Sequence, residues 1–141
     1  MKRKASAVWK GNLLGGTGTI STASQVLDNT QYSFKTRFEE GKGTNPEELI
    51  GAAHAGCFSM ALSAQLGEMG LTPDQINTAA TVTLEKVENG FAITQIHLEV
   101  TAKIPGADQA TFLKAATSAK ENCPVSRLFK ANITMDAKLA G

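Results

Sequence analysis

The spacing of apolar positions changes several times along this chain, and each change marks an element. Residues 5–10 and 19–23 mix β-branched and polar side chains and are separated by Gly11 and a glycine run at Gly15, Gly16 and Gly18, which predicts a first hairpin. Residues 32–38 alternate, with Tyr32, Phe34, Thr36 and Phe38 on one face and Lys35 and Arg37 on the other, which predicts a half-buried strand. Gly41-Lys42-Gly43 breaks that pattern and a helix follows. Asn45 suits its N-cap, Pro46 its first position, and Glu48 the third, where a carboxylate can reach back to the cap. The helix runs to about Met69, with Gly70 as its stop and Pro73 beyond.

From Leu49 to Leu66 this helix is apolar or small on nearly every face, including Gly51, Ala52, Ala53, Ala55, Gly56, Ala61 and Ala64. A helix lying on a sheet needs one apolar stripe only. A membrane span is the rival, but His54, Ser59, Ser63 and Gln65 lie within it and Glu47, Glu48 and Glu68 bracket it. A small domain can hardly enclose a helix of ~35 Å, at a rise of ~1.5 Å per residue. A second copy of the chain is therefore expected to cover one side, as a twofold dimer.

Residues 80–88 and 91–104 flank Asn89-Gly90, a strong hairpin signal because both residues tolerate positive φ. Ile96, Leu98, Val100 and Ala102 share one strand face; Gln95, His97, Glu99 and Thr101 share the other. A helix is predicted over 108–121, with Phe112, Ala115, Ala116 and Ala119 inward. Cys123-Pro124 punctuates it, residues 125–130 form a short helical turn, and Ile133, Met135, Ala137 and Leu139 alternate in a last strand. The sum is α+β, a mostly antiparallel sheet around a long buried central helix.

Composition narrows the function classes. A chain of 141 residues, 42% hydrophobic and 19% charged, fits a single domain spanning 1–141 and has apolar area enough to exclude disorder. A net charge of +1 with no basic stripe argues against nucleic-acid binding. Met1-Lys2-Arg3-Lys4 is followed by Trp9, Lys10, Gly11 and Asn12 rather than an apolar stretch, so neither export nor a membrane is expected and a cytoplasmic location is. Two cysteines make no disulfide scaffold; they are buried hydrophobes, metal ligands or redox catalysts.

Judged singly, each candidate has a bland reading beside a reactive one. Cys57 is either a small buried side chain or a nucleophile that needs a nearby cation to become a thiolate. Cys123, before Pro124, suits an N-cap where free backbone N–H groups favour an anion, or is a buried turn residue. Arg37 is either a solvated strand position or a functional cation, and Glu47 suits the first turn of a helix in any case. A metal reading would join His54, Cys57, His97 and Cys123, but no paired C-x-x-C element supports zinc. Gly41-Lys42-Gly43-Thr44 lacks the upstream glycine and preceding apolar strand of a phosphate loop.

Taken together, the stretch from Thr36-Arg37-Phe38-Glu39 through Gly43-Thr44-Asn45-Pro46-Glu47-Glu48 to His54-Ala55-Gly56-Cys57-Phe58-Ser59-Met60 resembles the OsmC branch of the OsmC/Ohr family. The likeness continues through Glu85 to Thr94 and Asn122-Cys123-Pro124-Val125-Ser126, so it spans essentially the whole chain. Gly56 departs from the alanine expected there, which costs the helix roughly 1 kcal/mol and removes no chemical group. The resemblance implies an OsmC-like fold in an intertwined homodimer with its active site at the subunit interface. It implies a thiol-dependent peroxidase for organic hydroperoxides, and less well hydrogen peroxide, in oxidative or osmotic stress defence. By resemblance Cys57 is the peroxidatic cysteine, Cys123 the resolving one, Arg37 the cation beside the reactive sulfur and Glu47 the carboxylate that orients it. No bound cofactor is implied; an external dithiol, with a lipoyl-type carrier as one candidate, reopens the Cys57–Cys123 disulfide. The alternative is a non-enzymatic dimer with structural or weakly metal-binding cysteines.

Overall fold

The computed structural model describes residues 1–141, and the chain forms two compact units, Met1–Leu49 and Ile50–Gly141. In the N-terminal unit, strands β1 (Ala5–Lys10), β2 (Thr17–Thr22) and β3 (Thr30–Tyr32) make an antiparallel sheet in that order. The hairpin expected from the glycine run is there. Its register sets Gly18 between Trp9 and Tyr32, whose ring centroids lie 5.5 Å apart. A Cβ on Gly18 would stand 2.7 Å from Trp9 Cε3 and collide with the Tyr32 ring as well, so the ring pair requires glycine there.

The strand predicted over 32–38 is a correction. β3 ends at Tyr32, and Phe34–Phe38 is a short helix, α1. Ser33 and Thr36 decide it through a reciprocal capping box: Thr36 N–H donates to Ser33 Oγ at 3.3 Å, and Ser33 N–H to Thr36 Oγ1 at 2.8 Å. Phe34 and Phe38, read as alternating strand positions, are instead an i, i+4 pair with centroids 4.8 Å apart.

Helix α2 (Pro46–Glu68) starts as predicted, with Glu48 N–H donating to Asn45 Oδ1 at 2.8 Å. The Glu48 carboxylate does not return to the cap. It accepts from the Thr44 hydroxyl at 3.0 Å, because Thr44 is buried and its donor needs a partner.

In the C-terminal unit β4 (Gln75–Val87), β5 (Gly90–Lys103) and β6 (Asn132–Ala140) form a second sheet in that order. β4 and β5 are antiparallel; β6 runs parallel to β5, reached through α3 (Gln109–Asn122) and α4 (Pro124–Leu128). The turn closing β4–β5 differs in detail from expectation. Its two-residue loop is Glu88-Asn89, and the positive φ, 120°, belongs to Gly90 alone, so Asn89 keeps an ordinary backbone.

The core of this unit gathers Ile96, Leu98, Val100 and Ala102 of β5 with Phe112, Ala115, Ala116 and Ala119 of α3, the faces that periodicity picked out. From α2 it takes Phe58, Leu62 and Leu66, each fully buried and each stabilising the fold by about 1.5–3 kcal/mol. His54 continues this stripe one turn earlier. The opposite face of α2, with Ala52, Ala53, Gly56, Met60, Ser63, Ala64 and Gly67, is exposed. Enclosure on every side, as composition suggested, is therefore not supplied by the single chain. By length and mean hydropathy, 1.3, α2 could cross a membrane. Its polar groups instead bond within the fold: Ser59 with Thr78 of β4 at 2.8 Å and Gln65 with Ser118 of α3 at 2.9 Å.

Candidate active site

The four predicted site residues fall into two pairs, one in each unit. The first pair is ionic. α1 carries Arg37 and the first turn of α2 carries Glu47; Asn45 Nδ2 ties the two helices by donating to Thr36 O at 3.1 Å. Arg37 Nε and Nη2 both donate to Glu47 Oε1, at 3.1 and 2.9 Å. Both bonds use one edge of the guanidinium and leave Nη1 out of them, while Glu47 Oε2 is buried without a partner. The carboxylate is thus the fixed member, its side chain 11% exposed against 39% for Arg37. The Phe38 ring lies 5.4 Å from the Arg37 Cζ atom and adds a cation–π contact. Arg37 also walls a pocket of about 260 Å³ whose other lining is mainly Trp9, Leu13, Tyr32, Phe34 and Phe38.

The second pair is the two thiols. Cys123 caps both α3 and α4: its N–H donates to Ala119 O at 2.9 Å, and its Sγ accepts from Ser126 N–H at 3.3 Å, the N-cap geometry expected of Cys-Pro. Cys57 lies on α2, half-buried, one turn beyond His54. Both thiols are free, and Cys57 packs against the core cluster that contains Cys123. Burial pushes the Cys57 thiol above its ordinary range; the Val125 backbone pulls the other way, and the neighbouring Cys123 pushes it up further.

The family profile described as OsmC-like protein matches residues 39–138. The chain is 56% identical over 137 residues, 97% of its length and 96% of the other's, to the protein named Peroxiredoxin OsmC of Escherichia coli K12. This chain belongs to the OsmC family. It is also 32% identical over 101 residues, 71% of its length and 69% of the other's, to an organic hydroperoxide resistance protein of Xanthomonas axonopodis. The crystal structure of the organic hydroperoxide resistance protein OhrB of Bacillus subtilis superposes with a TM-score of 0.69 at 25% identity, covering 97% of this chain and 98% of that one. An OsmC-like protein of Mycoplasma pneumoniae shares the fold, with a TM-score of 0.77 at 14% identity over 100% of this chain and 99% of that one.

Within this OsmC-family chain, Ser126 is the residue that sequence reasoning missed. It is 6% exposed, and its hydroxyl lies 3.2 Å from Cys123 Sγ and 2.7 Å from His54 Nε2. Its position three residues after the Cys123 cap was the available signal, since that residue supplies the capping N–H. His97, weighed as a metal ligand, bonds instead to Thr134 and to Asp136 on β6. No three His, Cys, Asp or Glu side chains are grouped to hold a metal ion. A Cβ at Gly56 would meet nothing within 4 Å, so alanine there is sterically permitted.

Proposed function

We propose that this chain is a thiol-dependent peroxidase that reduces organic hydroperoxides, with Cys57 as the attacking sulfur. The observation that carries the reading is the packing of a half-open cysteine, Cys57, against the buried cluster that holds the second, Cys123. The Cys57 thiolate attacks the distal peroxide oxygen. The sulfur–oxygen bond forms as the O–O bond breaks, and the leaving alkoxide takes a proton to become an alcohol. Cys57 is left as a sulfenic acid. The Cys123 sulfur then displaces hydroxide, which leaves as water, and a Cys57–Cys123 disulfide forms. An external dithiol of lipoyl type restores both thiols by exchange.

Because burial and Cys123 both oppose ionisation of Cys57, the reaction needs a cation. Arg37 takes that role in this reading, stabilising charge on the breaking O–O bond, and Glu47 fixes the guanidinium so that little reorganisation accompanies the step. The aromatic lining around Arg37 favours an organic substituent over hydrogen peroxide. The enzyme works as a homodimer, with the exposed small-residue face of α2 covered by a second copy and the active site at the subunit interface. Its location is the cytoplasm, where thiols stay reduced.

Replacing Cys57 with Ser tests the reading. Turnover of tert-butyl hydroperoxide with a dithiol reductant should fall to background. Activity near that of the wild type would overturn it in favour of the non-enzymatic alternative, in which both cysteines are structural.

A further inference from the structure

The peroxidase chemistry above leaves one buried group unused. His54 is fully buried, its Nε2 lies 2.7 Å from Ser126 Oγ, and its Nδ1 is buried with no partner. Phe129 stands edge-on to the ring, with centroids 5.7 Å apart. A histidine placed only for packing needs no contact with a hydroxyl that itself touches a cysteine sulfur.

The positions of the hydrogens follow from burial. Desolvation lowers the His54 pKa, so the ring is neutral and carries one N–H. On Nδ1 that hydrogen would be an orphaned buried donor, which folded proteins rarely tolerate; on Nε2 it leaves only an unfilled lone pair. Nε2–H therefore donates to Ser126 Oγ. The serine hydroxyl, its acceptor side now engaged, is free to donate to Cys123 Sγ at 3.2 Å, beside its own backbone N–H at 3.3 Å.

We propose that His54 and Ser126 are positioning residues for the resolving step, directing two Ser126 donors at the Cys123 sulfur so that it reacts as a thiolate aimed at Cys57. The inference rests on Cys57 as the oxidised and Cys123 as the resolving sulfur. The sulfur–sulfur bond forms, the Cys57 sulfur–oxygen bond breaks, and Cys123 is oxidised as the sulfenic sulfur is reduced to the disulfide level. Hydroxide leaves and takes up one proton, matching the one Cys123 gave up on ionising, so water is the only product. His54 stays neutral throughout. Its task is to hold the serine hydroxyl with its hydrogen toward the sulfur.

Speed matters at this step because a second hydroperoxide molecule competes for the sulfenic acid and converts it to sulfinic acid. The experiment therefore reads a partition, which does not depend on how fast Cys57 is first oxidised. The reduced chain is treated with excess tert-butyl hydroperoxide, and disulfide and sulfinic products are counted by intact mass. Ser126→Ala, which removes one oxygen and keeps the N–H, should raise the ratio of sulfinic acid to disulfide about tenfold, the weight of one hydrogen bond to a charged acceptor. His54→Leu should raise it similarly, and His54→Gln, which keeps an N–H donor, should restore most of the disulfide.

A second readout is the pH midpoint of Cys123 alkylation in a Cys57→Ser background. In that background His54 is tied to the Cys123 sulfur through the Ser126 hydroxyl. Adding Ser126→Ala should move that midpoint upward. An unchanged partition in Ser126→Ala, or an unmoved midpoint, overturns the proposal, and so does a His54→Gln that behaves as His54→Leu. A wild type that forms no disulfide at all overturns the underlying assignment of the two cysteines instead.

Discussion

The two residue pairs of the candidate site are built by opposite means. Arg37 and Glu47 lie ten residues apart, and their contact is made by local chemistry: one capping box, one N-cap asparagine and a side-chain bond from that asparagine to Thr36 O. Cys57 and Cys123 come from distant parts of the chain, and only the packing of α2 against β5 and α3 brings them together. A charge can thus be set by short-range hydrogen bonds on a partly exposed surface, whereas two uncharged sulfurs need the whole core behind them. The consequence is separable sensitivity. Damage to the first pair should lower activity and spare stability; damage beneath the second should lower both.

Among variants that keep both cysteines, the largest effect expected is on catalysis at the ionic pair. Arg37→Gln should lower kcat/KM for an organic hydroperoxide by about 10²–10³-fold, the weight of one preorganised donor at a developing charge. Its denaturation midpoint should stay close to that of the wild type. Glu47→Gln, which keeps an acceptor but loses the charge, should lie between the two in steady-state assays.

Next comes the core beneath the thiols. Leu62→Ala removes a fully buried side chain of α2 and should cost about 2–5 kcal/mol in urea unfolding. Ser33→Ala, which takes away half of the capping box under Arg37, should cost only about 1 kcal/mol by the same measurement. If the two variants lost equal stability, the contrast between local and core construction would fail.

A smaller effect concerns pH. Burial holds His54 below its ordinary pKa of 6.5, so just under that value the unfolded chain binds a proton that the folded chain refuses. Stability is full above pH 6.5 and declines as the pH falls through it. Urea midpoints across that range should show the slope, and His54→Gln should flatten it.

Much of this arrangement could be read from the chain before the structure. Asn45-Pro46 starts α2 where the local code places it, the β4–β5 hairpin closes at Gly90, and Cys123 caps α4 because proline follows it. Those features depend on neighbours within a few residues. α1 was misread because its seven-residue window fits period two as well as an i, i+4 pair, and only the Ser33–Thr36 exchange separates them. The tie between His54 and Ser126 spans 72 residues and carries no local mark, so periodicity and capping rules pass it by. The division into two sheets was also beyond local pattern, since strand order is fixed by packing rather than by propensity.

The most direct measurement is a peptide map of the reduced wild-type chain after a single equivalent of tert-butyl hydroperoxide. The account predicts loss of two hydrogens and one cross-linked peptide joining Cys57 to Cys123. Recovery of both cysteines as unmodified thiols, with the hydroperoxide unconsumed, would contradict it.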